Sequence, residues 1–471
     1  FGSSLKKMSL KSPTAMAAVE GGASPSSSST EGTMREALTS SRQESKKCRR
    51  DFAVMCWTLA INHATVTTPI LYASSVLDKS TGEAGNAMLY GATLVCSLFF
   101  STLIYGILGS KRGLSLSMGL YCVYVGFFAT AALICEKDPA SCGVHGKAYW
   151  INLAGAFIGG TGAGLLWTCQ GAFFSSICER VALAEDRETP DVTAELAGNF
   201  ALIFLAMEAA VRASATLLTK YAGLDFAAVF YIFSGLALVS ALAFQVLATE
   251  TNSVTPSGSL CAKATSAIRL WKDPKLWVLQ CTNLTFGFAA AWLAGYVGSQ
   301  IVKPALGAQF IGFAGAMLSA LASALSAGLG IVARKLGKGP VVALGAAAFL
   351  LLAVLSKYVG HPATWGWGVL VFYVLMGIGR AVYECTNKAI FADFFPGEAS
   401  AGAFANVFVF GTLASTIAFS LGASSKDLSE LYLLMIFAIL TVPGYLTASF
   451  VKRCEEASLH DADCTDTASS A

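Results

Sequence analysis

Charge is what this sequence has least of. Only 13% of its 471 residues are Asp, Glu, Lys or Arg, about half the share of an average soluble chain. That shortage excludes a water-soluble surface of this size. The net charge of +3 leaves no basic stripe for nucleic acid. No Gly-x-x-x-x-Gly-Lys-[Ser/Thr] segment cradles a phosphate, which argues against an ATP-driven pump. Gly-x-Ser-x-Gly and Cys-x-x-Cys are absent, and no His, Cys and carboxylate set has metal spacing. The residues therefore point to neither an enzyme nor a cofactor. Cysteines number 13, but most, such as Cys56, Cys96, Cys122, Cys169 and Cys281, fall in apolar runs as small core residues.

Apolar residues are abundant instead, at 55% of the chain with a mean hydropathy of +0.61. Twelve apolar segments follow one another, at 52–77, 85–108, 114–134, 150–176, 196–219, 226–248, 276–299, 306–331, 340–356, 365–389, 400–423 and 431–451. About 20 such residues cross a hydrocarbon core. The expected fold class is an all-α membrane protein with twelve transmembrane helices in two six-helix pseudo-repeats. The expected domains are a disordered tail (1–50), a six-helix half (51–249), a polar central loop (250–275), a second half (276–451) and a tail (452–471). The first tail is Ser-, Ala- and Lys-rich and has no apolar run. It carries no acid before Glu20, a feature shared with organelle transit peptides.

The fourth segment holds no charge between Lys147 and Glu179, and Gly155, Gly159, Gly160 and Gly164 stand at i, i+4 spacing. Such spacing admits a neighbouring helix backbone. The stretch Gly160–Phe174 aligns without gaps on Gly377–Phe391 at an offset of 217, with Gly160/Gly377 and Gly162/Gly379 identical. Ala197-Gly-Asn-Phe-Ala201 matches Ala401-Gly-Ala-Phe-Ala405 at an offset of 204. Gly106-Ile-Leu-Gly-Ser-Lys-Arg-Gly113 echoes Gly330-Ile-Val-Ala-Arg-Lys-Leu-Gly-Lys338 at an offset of 224. Three echoes in one order predict a two-fold internal repeat.

Of the basic residues near segment ends, 17 border one face and 7 the other. The positive-inside rule then places both termini in the cytoplasm, without naming the membrane. Cys135 and Cys142 share an outer loop, as a disulfide in an oxidising compartment or as two thiols. The one Asn-x-Thr triplet, at Asn283, lies in a helix and is not expected to be glycosylated.

Twelve helices in two repeats, with short basic loops between the second and third helix of each half, resemble the major facilitator superfamily. The loop residues are Gly106, Lys111, Arg112 and Gly113, and then Gly330, Arg334, Lys335, Gly337 and Lys338. The resemblance implies a cytoplasmic gate lock there, with Ser110 where the family has Asp. Gly162-Ala-Gly-Leu-Leu-Trp-Thr-Cys-Gln-Gly171, Leu270-Trp-Lys-Asp-Pro-Lys-Leu276 and Gly377-Ile-Gly-Arg-Ala-Val-Tyr-Glu384 are similar to the uncoordinated-ninety-three-like branch. That branch, the ion-channel regulatory proteins, commonly has Asp and Asn where this chain has Arg380 and Glu384. Helices one, four, seven and ten line the cavity in this superfamily. The resemblance therefore implies Asn62, His63, Trp167, Gln170, Asn283 and Asn387 as cavity residues, with helix packing as the alternative for Trp167 and Gln170.

A charge inside the bilayer costs roughly 2.5–3.5 kcal/mol and needs a reason. Glu208 and Arg212 stand at i, i+4 in the fifth segment, and Arg380 and Glu384 in the tenth. Either each pair neutralises itself as a structural device, or Glu208 exchanges a proton and Arg212 and Arg380 hold an anionic group. Glu384 also reads as a side chain reaching a polar edge. His63, amid Thr58, Thr65, Thr67 and Thr68, is a hydrogen-bonded core residue or a proton carrier.

Two functions are carried forward. One is a secondary transporter that moves a small solute, coupled or not to protons, by alternating access. The other is an accessory protein that regulates or traffics a channel or receptor, with the acidic loop Glu179–Glu195 either a docking site or, as such loops more often are, simply solvated. The expected partners are the lipid bilayer with a small solute or a membrane protein, and no nucleic acid.

Overall fold

The computed structural model describes residues 27–249, 267–396 and 399–469, and every regular element among them is helical. Its long helices are α1 (Ser27–Val76), α2 (Lys79–Val95), α3 (Ser101–Lys137, two helical runs joined across a break at Gly109), α4 (Lys147–Glu185), α5 (Thr189–Thr216) and α6 (Phe226–Leu247), then α7 (Pro274–Trp292), α8 (Ile311–Leu336), α9 (Lys338–Tyr358), α10 (Val371–Val382), α11 (Ala399–Ala423) and α12 (Asp427–Ser469). Below, the N-terminal half is 27–249 and the C-terminal half 267–469. Wide π-helical turns extend four of these helices: Cys96–Phe100 after α2, Leu217–Tyr221 after α5, Leu293–Val302 after α7 and Tyr383–Asn387 after α10.

Among the described residues, nine helices are long and apolar enough to cross a membrane, namely α3 and α5 through α12. The other three expected spans fall on α1, on α2 with the start of α3, and on α4; groups the bundle hides dilute the apolarity of α1 and α4, and α2 by itself is only 17 residues long. Asn62, Thr65 and Thr68 of α1 are fully buried, as is Glu83 of α2. On α4 the dilution comes from Gly155, Gly159, Gly160, Gly162 and Gly164, all buried.

Three expectations are corrected. The tail is not disordered up to residue 50: α1 starts at Ser27, while residues 1–26 lie outside the described set. Its last turns before the apolar run are held by charge pairs, Arg49 to Glu185 at 2.6 Å and to Glu195 at 2.8 Å, with Arg180 on Glu44. Residues 452–469 likewise continue α12 as helix. Of the expected loop 250–275, residues 250–266 are outside the description, residues 267–269 are helical, and a 3-10 turn, Leu270–Lys272, precedes α7.

The third correction concerns the basic loops. Gly109 has φ 74° and ψ 176°, and Gly337 has φ 87° and ψ 166°. Only glycine takes such a backbone without strain. The chain reverses at these two, so Gly109 is the counterpart of Gly337, an offset of 228. Gly113 is inside α3, against the Cys169 sulfur. The position matching the family's acid is then Gly106, not Ser110.

Cys135 and Cys142 form a disulfide that closes the α3–α4 connection. The Thr81 hydroxyl of α2 donates to the Cys142 carbonyl at 2.8 Å. Polar contacts between the halves run from this disulfide end to the middle of the bundle. Lys79 meets Asp427 at 2.5 Å, Lys303 donates to the Ser75 carbonyl at 2.6 Å, and Thr216 donates to the Gln309 carbonyl at 2.7 Å. The Tyr72 hydroxyl accepts from the Gly312 amide at 2.8 Å.

Candidate functional site

Mid-bundle, the halves are joined by charge. Glu208 of α5 is 2% exposed and takes four donors. Arg212, one turn on, lies 2.5 Å from its Oε1. Arg380 of α10 grips it with two nitrogens, Nη1 to Oε1 at 2.7 Å and Nη2 to Oε2 at 2.9 Å. The Ser319 hydroxyl of α8 donates to Oε1 at 2.9 Å and accepts from Arg212 Nη1 at 3.0 Å. Such two-point gripping of a carboxylate is what a guanidinium does best.

The sequence pattern suggested two separate i, i+4 pairs. The structure redistributes them. Arg380 lies 4.0 Å from Glu384, and Glu384 instead pairs with Lys388 at 2.6 Å. The π-helical turn at Tyr383–Asn387 sits between these partners. Glu208 therefore serves two arginines, and the cluster of one carboxylate and two guanidiniums keeps a net positive charge. The Nε atoms of Arg212 and Arg380 are buried without a partner. Tyr90 of α2 and Tyr373 of α10 lie within electrostatic reach of Arg212, and the Tyr373 hydroxyl is also unpartnered. Ser319, Tyr90 and Tyr373 were not nominated from sequence, because nothing in an isolated Ser or Tyr distinguishes a cluster member from a packing residue.

The other candidates separate into groups. His63 stands in an aromatic box, its ring 4.8 Å from Phe204, 5.2 Å from Trp167 and 6.2 Å from Tyr121 between centroids. Its Nδ1 is buried and unpartnered. Gln170, one turn past Trp167, is half-buried. Asn62 is fully buried and ties α1 to its neighbours, donating to the carbonyls of Ala237 at 3.0 Å and Met118 at 3.3 Å. Asn387 donates to Asn283 at 2.8 Å, and Asn283 to Gln280 at 2.6 Å, an amide chain from the turn after α10 to α7 that ends at the buried, unpartnered Gln280 Nε2. In this conformation these three asparagines bind helices together.

At the loops, Lys111 is half-buried and Arg112 exposed. Lys338 pairs with Asp393 and donates to the Ala389 carbonyl at 2.9 Å, so it ties α9 to the end of α10 within one half. Gly330 is half-buried and Lys335 exposed, while the Arg334 side chain is outside the description.

Sequence reasoning missed a second buried charge group, Glu83 and Glu430, at 1% and 3% exposure. Both lie one or two residues outside the apolar segments read at 85–108 and 431–451. The signal was present: carboxylates one turn from Lys79 and Asp427 at two helix starts.

No protein-family model matches the chain. Protein unc-93 homolog A of Bos taurus is 25% identical over 409 residues, covering 78% of this chain and 85% of that protein. The mouse protein of the same name, from Mus musculus, is 24% identical over 427 residues, covering 81% and 89%. Among solved structures, the nucleoside transporter NupG superposes with a TM-score of 0.57 at 12% identity, covering 86% of this chain and 99% of its own. A bacterial homologue of the human drug peptide transporters superposes at 0.60 with 13% identity, covering 88% and 99%. The fold is that of these two transporters, the relatives are unc-93 homologues, and the chain is an integral, multi-pass membrane protein.

Proposed function

We propose that this chain is a secondary transporter for a small anionic solute, coupled to protons, with Arg212 and Arg380 as the anion-binding pair. The observation that carries the reading is the Arg212–Glu208–Arg380 cluster, which bridges α5 of one half and α10 of the other at mid-bundle. Sites between two helical halves are where alternating-access transporters hold solute. In the empty protein the Glu208 carboxylate occupies both guanidiniums. A proton on Glu208 removes its charge and weakens its hold on Arg380. The vacated two-nitrogen face then accepts a carboxylate or phosphate-like group from the solute. Proton and anion thus bind together, and rocking of the halves carries both across.

The architecture of this reading is twelve spans in two six-helix repeats, 51–249 and 276–451, joined through 250–275, with both termini cytoplasmic and the disulfide end outward. Equivalent glycines support the repeat. A Cβ on Gly160 would strike Leu89 of α2, and one on Gly377 would meet Leu321 of α8. A Cβ on Gly162 would meet Leu120 of α3, and one on Gly379 would strike Phe349 of α9. Matched positions thus face the second and third helices of their own halves. The 17-to-7 split of basic residues supports the orientation.

The accessory-protein reading draws on kinship with the unc-93 homologues. Its suggested docking loop is less available than the sequence implied, because Glu185 and Glu195 are already held by Arg49 and Arg187.

The test is the thermal midpoint of the purified protein against anionic, neutral and cationic solutes at two pH values. A ligand at a hundredfold its dissociation constant adds about 2.7 kcal/mol. The reading expects stabilisation by particular anions, stronger at the lower pH, and its loss in folded Arg212→Ala. Stabilisation by neutral solutes alone, or by anions equally in Arg212→Ala, contradicts it.

A further inference from the structure

Glu83 of α2 and Glu430 of α12 are buried where the halves close at the disulfide end. Glu83 is pressed against the backbones of two C-terminal-half segments. A Cβ on Gly295 would come within 2.9 Å of its Oε1, and one on Gly422 of α11 would fall on its Oε2. That Oε2 is buried and has no hydrogen-bond partner. Lys79, one turn earlier, lies 3.8 Å from Oε1 but is engaged by Asp427 at 2.5 Å. The remaining charged group that acts on Glu83 is Asp78, also negative. Glu430 in turn interacts with Glu83, Asp427 and Lys79. The other neighbours of α2 bring no charge to compensate: α1 packs Ser74 against Gly82, and Asn152 of α4 donates to the Thr81 carbonyl.

One ammonium therefore faces four carboxylates, of which Glu83 and Glu430 are buried. Carboxylates buried together with so little countercharge do not all ionise. Among the described residues, no group of His, Cys, Asp and Glu has the makings of a metal site. We propose that Glu83 is a proton-binding site of the gate at the disulfide end, protonated while α2 is closed on the α7 extension and α11, and ionised when the gate opens to water. The step is ionisation alone: the carboxylic O–H breaks, water takes the proton, and no electron is transferred. The neutral acid fits against Gly295 and Gly422. The charged carboxylate requires hydration and drives the two surfaces apart. The inference rests on the transporter reading for its meaning, as a second proton site away from Glu208.

The test needs no solute. Spin labels at Val144, on the α3–α4 connection, and at Tyr358, at the end of α9, report the separation of the halves in full-length protein in lipid; both residues are exposed, at 49% and 75%. Across about pH 5 to 9, where a buried carboxylate titrates, the expected result is one short distance at low pH and a growing longer population as pH rises. Glu83→Gln, which mimics the neutral acid, is expected to hold the short distance throughout. Glu83→Asp is expected to regain the opening. Lys79→Met removes the one ammonium near Glu83, opposes its ionisation and moves the midpoint to higher pH. A pH-independent distance in the unmodified protein, or opening with an unchanged midpoint in Glu83→Gln, overturns the proposal. Should Glu83→Gln fail to fold, an unmoved midpoint in Lys79→Met overturns it instead. If the gate opens as expected while no anion binds at Arg212 and Arg380, the transport reading fails and the proton site stands.

Discussion

Removing Glu208 leaves two arginines facing each other inside the bundle, and that perturbation separates the structure's pairing from the pairing the spacing suggested. Glu208 is 2% exposed and takes donors at 2.5, 2.7, 2.9 and 2.9 Å. Breaking a buried ion pair from one side costs about 3–5 kcal/mol, because the partner charge stays buried. Glu384 is different: its side chain is 30% exposed, and its partner Lys388 is 48% exposed. An exposed helical pair of that kind is worth about 1 kcal/mol or less. The expected result is therefore that Glu208→Ala destabilises by about 3–5 kcal/mol while Glu384→Ala costs under about 1 kcal/mol. The assay is reversible unfolding in mixed micelles, with each variant compared at one detergent composition. A double variant, Glu208→Ala with Arg380→Met, should recover part of the loss, giving a coupling of about 1–3 kcal/mol between the two sites. Equal costs for Glu208→Ala and Glu384→Ala, or strict additivity in the double variant, would refute the shared-carboxylate arrangement.

Three further outcomes are expected. Arg49 holds the Glu185 carboxyl down to about 2, so its stabilisation is complete above about pH 4.5 and is lost as pH falls through about 2; hydrogen exchange in residues 39–50 should rise over that range, and Glu185→Gln should weaken the dependence, leaving the part carried by Glu195 and Glu44. Gly160→Ala should cost about 1–3 kcal/mol, because the new methyl strikes the Leu89 carbonyl, whereas Gly171→Ala meets open space and should be neutral or stabilising, both read by thermal midpoint. Reduction of Cys135–Cys142 should lower stability by about 2–3 kcal/mol and should add two alkylatable thiols in intact-mass spectra.

Most of the bundle was legible because lipid imposes it. A span must be long and apolar, and α5 to α12 announce themselves that way. Glu208, Arg212 and Arg380 were legible for the complementary reason, since charge is conspicuous in such a run. Their pairing was not, because i, i+4 spacing is a local rule, and Arg380 reaches across to another helix instead. Asn62 and Asn283 show the same limit: a buried amide faces a cavity or binds a neighbouring helix, through a backbone carbonyl for Asn62 and the Asn387 side chain for Asn283, and the sequence cannot tell which helix lies opposite. Gly109 was misaligned because identity favoured Gly113, while the turn is set by backbone conformation. Glu83 and Glu430 were passed over because a carboxylate at the end of an apolar run resembles a solvated helix start until packing buries it.

The most direct measurement of the central claim is uptake into proteoliposomes of the anion that most stabilises the purified protein, with the interior more alkaline than the bath. Coupled transport through the Arg212–Glu208–Arg380 cluster predicts saturable accumulation that collapses when the pH gradient is dissipated and that is lost in folded Arg380→Met. Accumulation no faster than in protein-free liposomes, or uptake undiminished in Arg380→Met, would contradict it.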